Sequence, residues 1–189
     1  MLRAQLSCDR RGAVGAHARR KSLTKTKHNY IVVLMIPLLV DLGSPAPWPV
    51  LPPGVHDATL AEIEARFATT PHRRALFAGF ERIVRALTVA GCRTVYLDGS
   101  FVTGKPHPDD FDGCWELAGV DPLRLDPVLL RFENRREAQK RKFQGEMFIA
   151  EYPGAPGVAF LEFFQIEKFS GRPKGIIRVR LPEIKGPVP

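Results

Sequence analysis

Between residues 70 and 91 apolar side chains recur at three- and four-residue steps: Leu76, Phe77, Phe80, Ile83, Val84 and Leu87. That period puts them on one stripe of an α-helix. Thr70 ahead of Pro71 supplies an N-cap and a first-turn proline, and Gly91 stands where a left-handed cap ends such a helix. Upstream, Thr59-Leu-Ala-Glu62 is a capping box that opens a shorter helix through Phe67. Beyond Gly91 the pattern changes. Thr94 to Asp98 is a short β-prone run, a second spans about Asp110 to Leu117, and Glu133 to Phe143 is helical and very basic. Asp121 to Phe132 is punctuated by proline, with a helical turn after Asp126. Three more β-prone runs follow at 146–150, 158–166 and 176–181, the last two joined by a hairpin through Ser170-Gly171-Arg172-Pro173. The order α-α-β-β-α-β-β-β predicts an α+β fold: a mixed or antiparallel sheet with helices packed on one face. The domain is expected over 58–183, behind a Pro-rich extended lead-in at 35–57 and ahead of a tail at 184–189.

Composition fits one globular domain plus tails: 189 residues, 44% apolar and 25% charged. The formal charge of +8 invites a nucleic-acid partner, but its distribution argues against that. Residues 1–28 hold eight basic side chains and one acid, a balance of +7, which leaves +1 for the other 161 residues. Residues 1–34 therefore read as a basic, disordered extension, or as a stretch upstream of a true start at Met35. The apolar run from Tyr30 to Val40, broken by Pro37, falls short of the ~20 apolar residues a spanning helix needs. Its basic approach is too long for a secretory signal, so no membrane association is expected. Cys8, Cys92 and Cys114 are an odd number without metal-site spacing, which points to a reduced, cytoplasmic chain with the last two cysteines in the core.

Candidate chemistry is concentrated after the first strand. Gly99-Ser100 follows it directly, a turn whose backbone N–H groups can hold a phosphate without a side chain in the way. Asp110-Phe111-Asp112 comes next, and in a strand two such acids face the same side, about 6–7 Å apart. Paired carboxylates of this kind suit two divalent metals clamping an in-line phosphoryl or nucleotidyl transfer. A third acid on a neighbouring strand would complete the second metal site; Glu146 leads a β-run out of a loop, and Glu162 in its own run is the alternative. Arg136, Gln139 and Lys140 share a helical face by their spacing and either neutralise a triphosphate or form a solvated face with Glu133 and Glu137. Lys105 and Lys174, each in a turn, are further cations for the nucleotide. Trp115 and Phe160, Phe163 and Phe164 read as core, and His107 as an exposed loop residue.

The ordered combination of Gly99-Ser100 with Asp110-Phe-Asp112 resembles the signature of the nucleotidyltransferase superfamily typified by DNA polymerase β. Leu51-Pro-Pro-Gly-Val-His-Asp-Ala-Thr59, Leu97-Asp-Gly-Ser-Phe-Val-Thr103, Asp110-Phe-Asp-Gly-Cys-Trp115 and Phe163-Phe-Gln165 with Lys174-Gly-Ile-Ile177 sharpen the likeness. They are similar to a family of small uncharacterised bacterial proteins grouped with nucleotidyltransferase-like domains, AbiEii-type toxins among them. The resemblance runs from about Met35 to Leu181 and implies the minimal nucleotidyltransferase fold. It also implies the two motif aspartates, Asp110 and Asp112. With Glu146 from the reading of the strands, these would hold Mg²⁺, and Gly99, Ser100, Lys105, Arg136, Lys140 and Lys174 would hold an NTP. An NMP would pass to a hydroxyl of RNA, protein or a small molecule. Two other readings stand beside it: a catalytically degenerate domain that binds a nucleotide or partner, and a toxin acting on tRNA or protein with a cognate antitoxin.

Overall fold

In the computed structural model residues 36–183 are described, so the expectations for residues 1–34 and the tail at 184–189 lie outside the described residues. The elements run β1 (Gly54–Asp57), α1 (Leu60–Phe67), α2 (Pro71–Val89), β2 (Thr94–Asp98), β3 (Phe111–Trp115), α3 (Glu133–Phe143), β4 (Gly145–Ile149), β5 (Pro153–Ala155), β6 (Val158–Ala159), α4 (Phe160–Phe163) and β7 (Gly175–Arg180). Both leading helices start where their caps require. The Thr59 hydroxyl accepts from the Glu62 N–H at 3.2 Å while the Glu62 carboxylate accepts from the Thr59 N–H at 2.8 Å. Thr70 accepts from the Arg73 N–H, and α2 ends at Val89 before Gly91 turns the chain at φ +91°.

Five strands form a mixed sheet in the order β1-β7-β2-β3-β4. The β2 pairings with β3 and β7 are antiparallel; β1–β7 and β3–β4 are parallel. Alternation divides each strand between two faces. Val95, Leu97, Phe111, Trp115, Met147, Ile149, Ile177 and Val179 join Phe80, Ile83 and Leu87 of α2 and Phe143 of α3 in the main core. The opposite face carries Tyr96, Cys114, Phe148 and Ile176 under Phe160 and Phe164 from the α4 region. The fold is α+β, with α1 to α3 on one side and the single turn of α4 on the other.

Four expectations change. The lead-in is not merely extended, because residues 54–57 form the parallel edge strand β1 and Leu51 is fully buried. The run 158–166 is no strand: it makes two β residues and then α4, because Phe160 and Phe164, four apart, need one side of a helical turn to reach Phe148. Consequently 166–175 is no hairpin between sheet neighbours; only Ile166 and Pro173 bridge, and β7 pairs with β1 and β2. The strand expected over 110–117 is the shorter β3, with Asp110 just outside it.

Arg73 is buried, with no acid partner among the described residues. Its guanidinium donates to four backbone carbonyls: Phe67 at 3.1 Å, Phe101 at 2.7 Å, Thr103 at 3.2 Å and Lys105 at 2.6 Å. A charged donor satisfies the carbonyls of a loop that has no regular ladder, and so fixes residues 101–105 immediately after the Gly99-Ser100 turn. Arg73→Met is expected to lower stability by about 3 kcal/mol, since four acceptors lose their donor at once. Urea unfolding would show it as a lower midpoint at unchanged slope; a loss under ~0.5 kcal/mol would mean that water or the loop itself replaces the guanidinium.

Candidate active site

Strand register places the acids. Asp98 at the end of β2 is the Cα partner of Asp112 in β3, and Asp112 is the partner of Glu146 in β4. Neighbouring strands stand about 4.8 Å apart, so the three carboxylates form a row across one end of the sheet, on the face away from α2. Asp110 lies two residues before Asp112, its side chain 23% exposed at the mouth of the row. Gly99 closes the other side at φ +81°; a methyl there would stand 2.7 Å from the Asp112 backbone N and against its carboxylate. Only glycine permits this approach. The Ser100 hydroxyl donates to the Asp110 carbonyl at 3.4 Å, tying the two motif halves together.

Cations balance the row. Lys174 pairs with the buried Asp98. Arg136 holds Glu146 with two hydrogen bonds, from Nε and, at 3.1 Å, from Nη2. Lys140 reaches Asp110 at 2.8 Å and Glu146 at 3.6 Å. Burial first, and then Asp110, a hydrogen bond with Glu146, and Asp98, drive the Asp112 carboxyl well above the ordinary carboxylate range. Burial also pushes Glu146 upward, but Arg136, the Asp112 hydrogen bond and Lys140 outweigh it and hold Glu146 below its usual value. Of the two, Asp112 is the one biased towards its protonated form and Glu146 towards its ionised form. Across the row Asp98, Glu146 and Asp110 stand against Lys174, Arg136 and Lys140.

Arg136 arrives by an unexpected route. Asn134, Arg135 and Arg136 have φ of +49°, +55° and +58°, a left-handed turn inside the span of α3. Each such residue without glycine's freedom costs roughly 1–2 kcal/mol, so the surrounding contacts must hold the turn. Those contacts are the Glu146 ion pair and the Phe148 ring, 4.9 Å from the guanidinium carbon. The helical spacing that grouped Arg136, Gln139 and Lys140 does not apply across this turn. Gln139 is fully buried and structural: it accepts from the Met147 N–H at 2.8 Å and donates to the Leu129 and Arg131 carbonyls.

Asp110, Asp112, Glu146, Gly99, Ser100, Arg136, Lys140 and Lys174 thus converge. Lys105 does not; its ammonium pairs with Asp109 at 2.6 Å. Glu162 is exposed on α4 rather than carried on a strand beside β3. Asp98 is the site residue that sequence reasoning missed. An aspartate is poorly suited to a strand, and its place directly before Gly99 was the available signal.

Whether Mg²⁺ fits has a mixed answer. Hard carboxylate oxygens are its preferred donors, and like charges crowded around Asp112 are what a cation relieves. Yet among the described residues no three acids, histidines or cysteines converge closely enough to hold a metal, because Lys140 and Arg136 stand on the acids instead. Metal entry requires those side chains to withdraw.

The upward shift of the Asp112 carboxyl has a consequence for stability. Unfolded, its carboxyl titrates near 3.8; folded, it keeps its proton to higher pH. Above that value the folded chain binds more protons than the unfolded one, so this residue's contribution falls as pH rises. Asp112→Asn, still able to donate to Glu146, is expected to melt above the wild type at pH 7, with the gap closing towards pH 4. Thermal unfolding in chelator measures it; a variant melting lower at pH 7 would mean that the acid is ionised.

Among the described residues no helix is long and apolar enough to cross a membrane. No curated protein and no solved structure matches the chain. A family of unknown function, DUF6932, matches residues 46–180, a span that holds every acid of the row and all three of its cations. The chain belongs to that family.

Proposed function

We propose that the chain is a metal-dependent nucleotidyltransferase that moves an NMP from an NTP to an acceptor hydroxyl on RNA, protein or a small molecule. One observation carries the reading: Asp112 and Glu146 lie in register on adjacent strands, with Asp110 beside them and the Gly99 turn packed against Asp112. Mg²⁺ would be held by Asp110, Glu146 and the ionised form of Asp112, and would supply Lewis acidity at the phosphates and a more acidic acceptor hydroxyl. The backbone at Gly99 and Ser100 holds the triphosphate. Arg136 and Lys140 leave the acids and turn to the phosphate oxygens, a better-matched partner for a guanidinium fork. With Arg136 gone, the main influence that keeps Glu146 acidic is removed, so Glu146 becomes able to take the acceptor proton. The acceptor oxygen bonds to the α-phosphorus as the α–β bridging bond breaks, and pyrophosphate departs.

A second reading has its own support. Three acids already neutralised by Lys174, Arg136 and Lys140 describe equally a site that has given up metal and binds a nucleotide or partner without chemistry.

Calorimetry with a non-hydrolysable NTP separates the readings. Mg²⁺-dependent binding is expected for the wild type, and Asp110→Ala should weaken it by 100-fold or more, on the order of 3 kcal/mol. That variant should keep the wild-type far-UV spectrum, since Asp110 sits at the mouth of the row. Affinity indifferent to both Mg²⁺ and Asp110→Ala would favour the degenerate domain. Release of pyrophosphate from labelled NTP with RNA or protein acceptors would then exclude it.

A further inference from the structure

Next to the acid row lies an aromatic surface that the transfer chemistry does not use. Phe148 stands two residues beyond Glu146 on β4 and on the same face, 8% exposed. The Phe160 ring lies 4.1 Å from it at 26°, and the Phe132 ring 6.1 Å from it at 17°. Phe132 is 39% exposed. A large apolar ring held nearly parallel to a buried one, with open surface, is a stacking platform in want of a partner. The left-handed turn at 134–136 fixes Phe132 on one side and Arg136 on the other. Through Arg136, which touches both the Phe148 ring and Glu146, the platform is continuous with the charged row.

We infer that Phe132, backed by Phe148, is the subsite for the nucleobase of the substrate. The inference rests on the nucleotidyl-transfer reading of the acid row. A nucleoside triphosphate has the matching form, a planar π-face joined to a polyanion. The surface offers an aromatic face bordered by Arg136, with Lys140 and the acids beyond. An apolar peptide segment would bring nothing to pair with those two cations once they leave the carboxylates. Stacking accepts every base, since each has a π-face, and favours the larger purines. The substrates are therefore purine nucleoside triphosphates, with little distinction between adenine and guanine.

Equilibrium binding of ATP, CTP and inorganic tripolyphosphate, each with Mg²⁺, tests this on the wild type, Phe132→Leu and Phe132→Trp. Wild type should bind ATP roughly tenfold more tightly than tripolyphosphate, and more tightly than CTP. Phe132→Leu, which keeps an apolar side chain, should remove most of the ATP advantage and leave tripolyphosphate affinity unchanged; Phe132→Trp should restore it. Equal ATP affinity in wild type and Phe132→Leu, with tripolyphosphate still bound, would overturn the base subsite and leave the triphosphate site standing. If neither ATP nor tripolyphosphate binds to wild type, the transfer reading fails and takes the subsite with it. A wild-type dimer dissociated by Phe132→Leu at unchanged ATP affinity would assign the ring to self-association and likewise overturn the subsite.

Discussion

Charge compensation inside a sheet end is the constraint on which this molecule turns. Acids from three adjacent strands are forced together by register, and charges at that depth need partners. The chain answers in two ways: it brings in Lys174, Arg136 and Lys140, and it raises the Asp112 carboxyl towards its neutral form. Removing a buried ion's partner generally costs several kcal/mol, so the cations are as necessary to the folded state as the acids are to any chemistry.

Backbone shape around the row follows from the same demand. The Gly99 turn brings the chain against Asp112, where a side chain would not fit, and Arg73 then secures the loop that follows by its carbonyls alone. On the other flank Gln139 anchors α3 to β4, and the left-handed turn aims Arg136 at Glu146. Rigid supports therefore bracket the acids on both sides, while the lysine and arginine that cover them hang from longer, freer side chains.

Much of this was legible because its signals are local. Thr59 with Glu62, Thr70 with Pro71, and Gly91 fix α1 and α2 by chemistry within one turn, and Asp112 falls on β3, with Asp110 just before it, because the β-prone run is short and bounded. Glu146 could be chosen over Glu162 because it begins a β-run as it leaves a loop, and the register bears out its place beside Asp112. What escaped depends on distance. An apolar run such as 158–166 has no period that separates strand from helix, and only the Phe148 ring waiting across the sheet decides the matter. Residues 54–57 become a strand because β7, over a hundred residues later, offers an open edge. Arg136 was placed at the site on the strength of a regular helix that the chain does not make there. Asp98 looked like the end of a strand, and its importance shows only beside Lys174, 76 positions away.

The position of β7 bears on how the chain is made. Among the described strands it is the last to leave the ribosome, yet it lies inside the sheet between β1 and β2, and it follows directly on Lys174. Until it emerges, β1 has no neighbour and the nascent chain holds Asp98 without its counter-ion. The acid row is thus fully encoded by residue 146 but electrically complete only when β7 docks, so the sheet closes only after the chain has been made through residue 180.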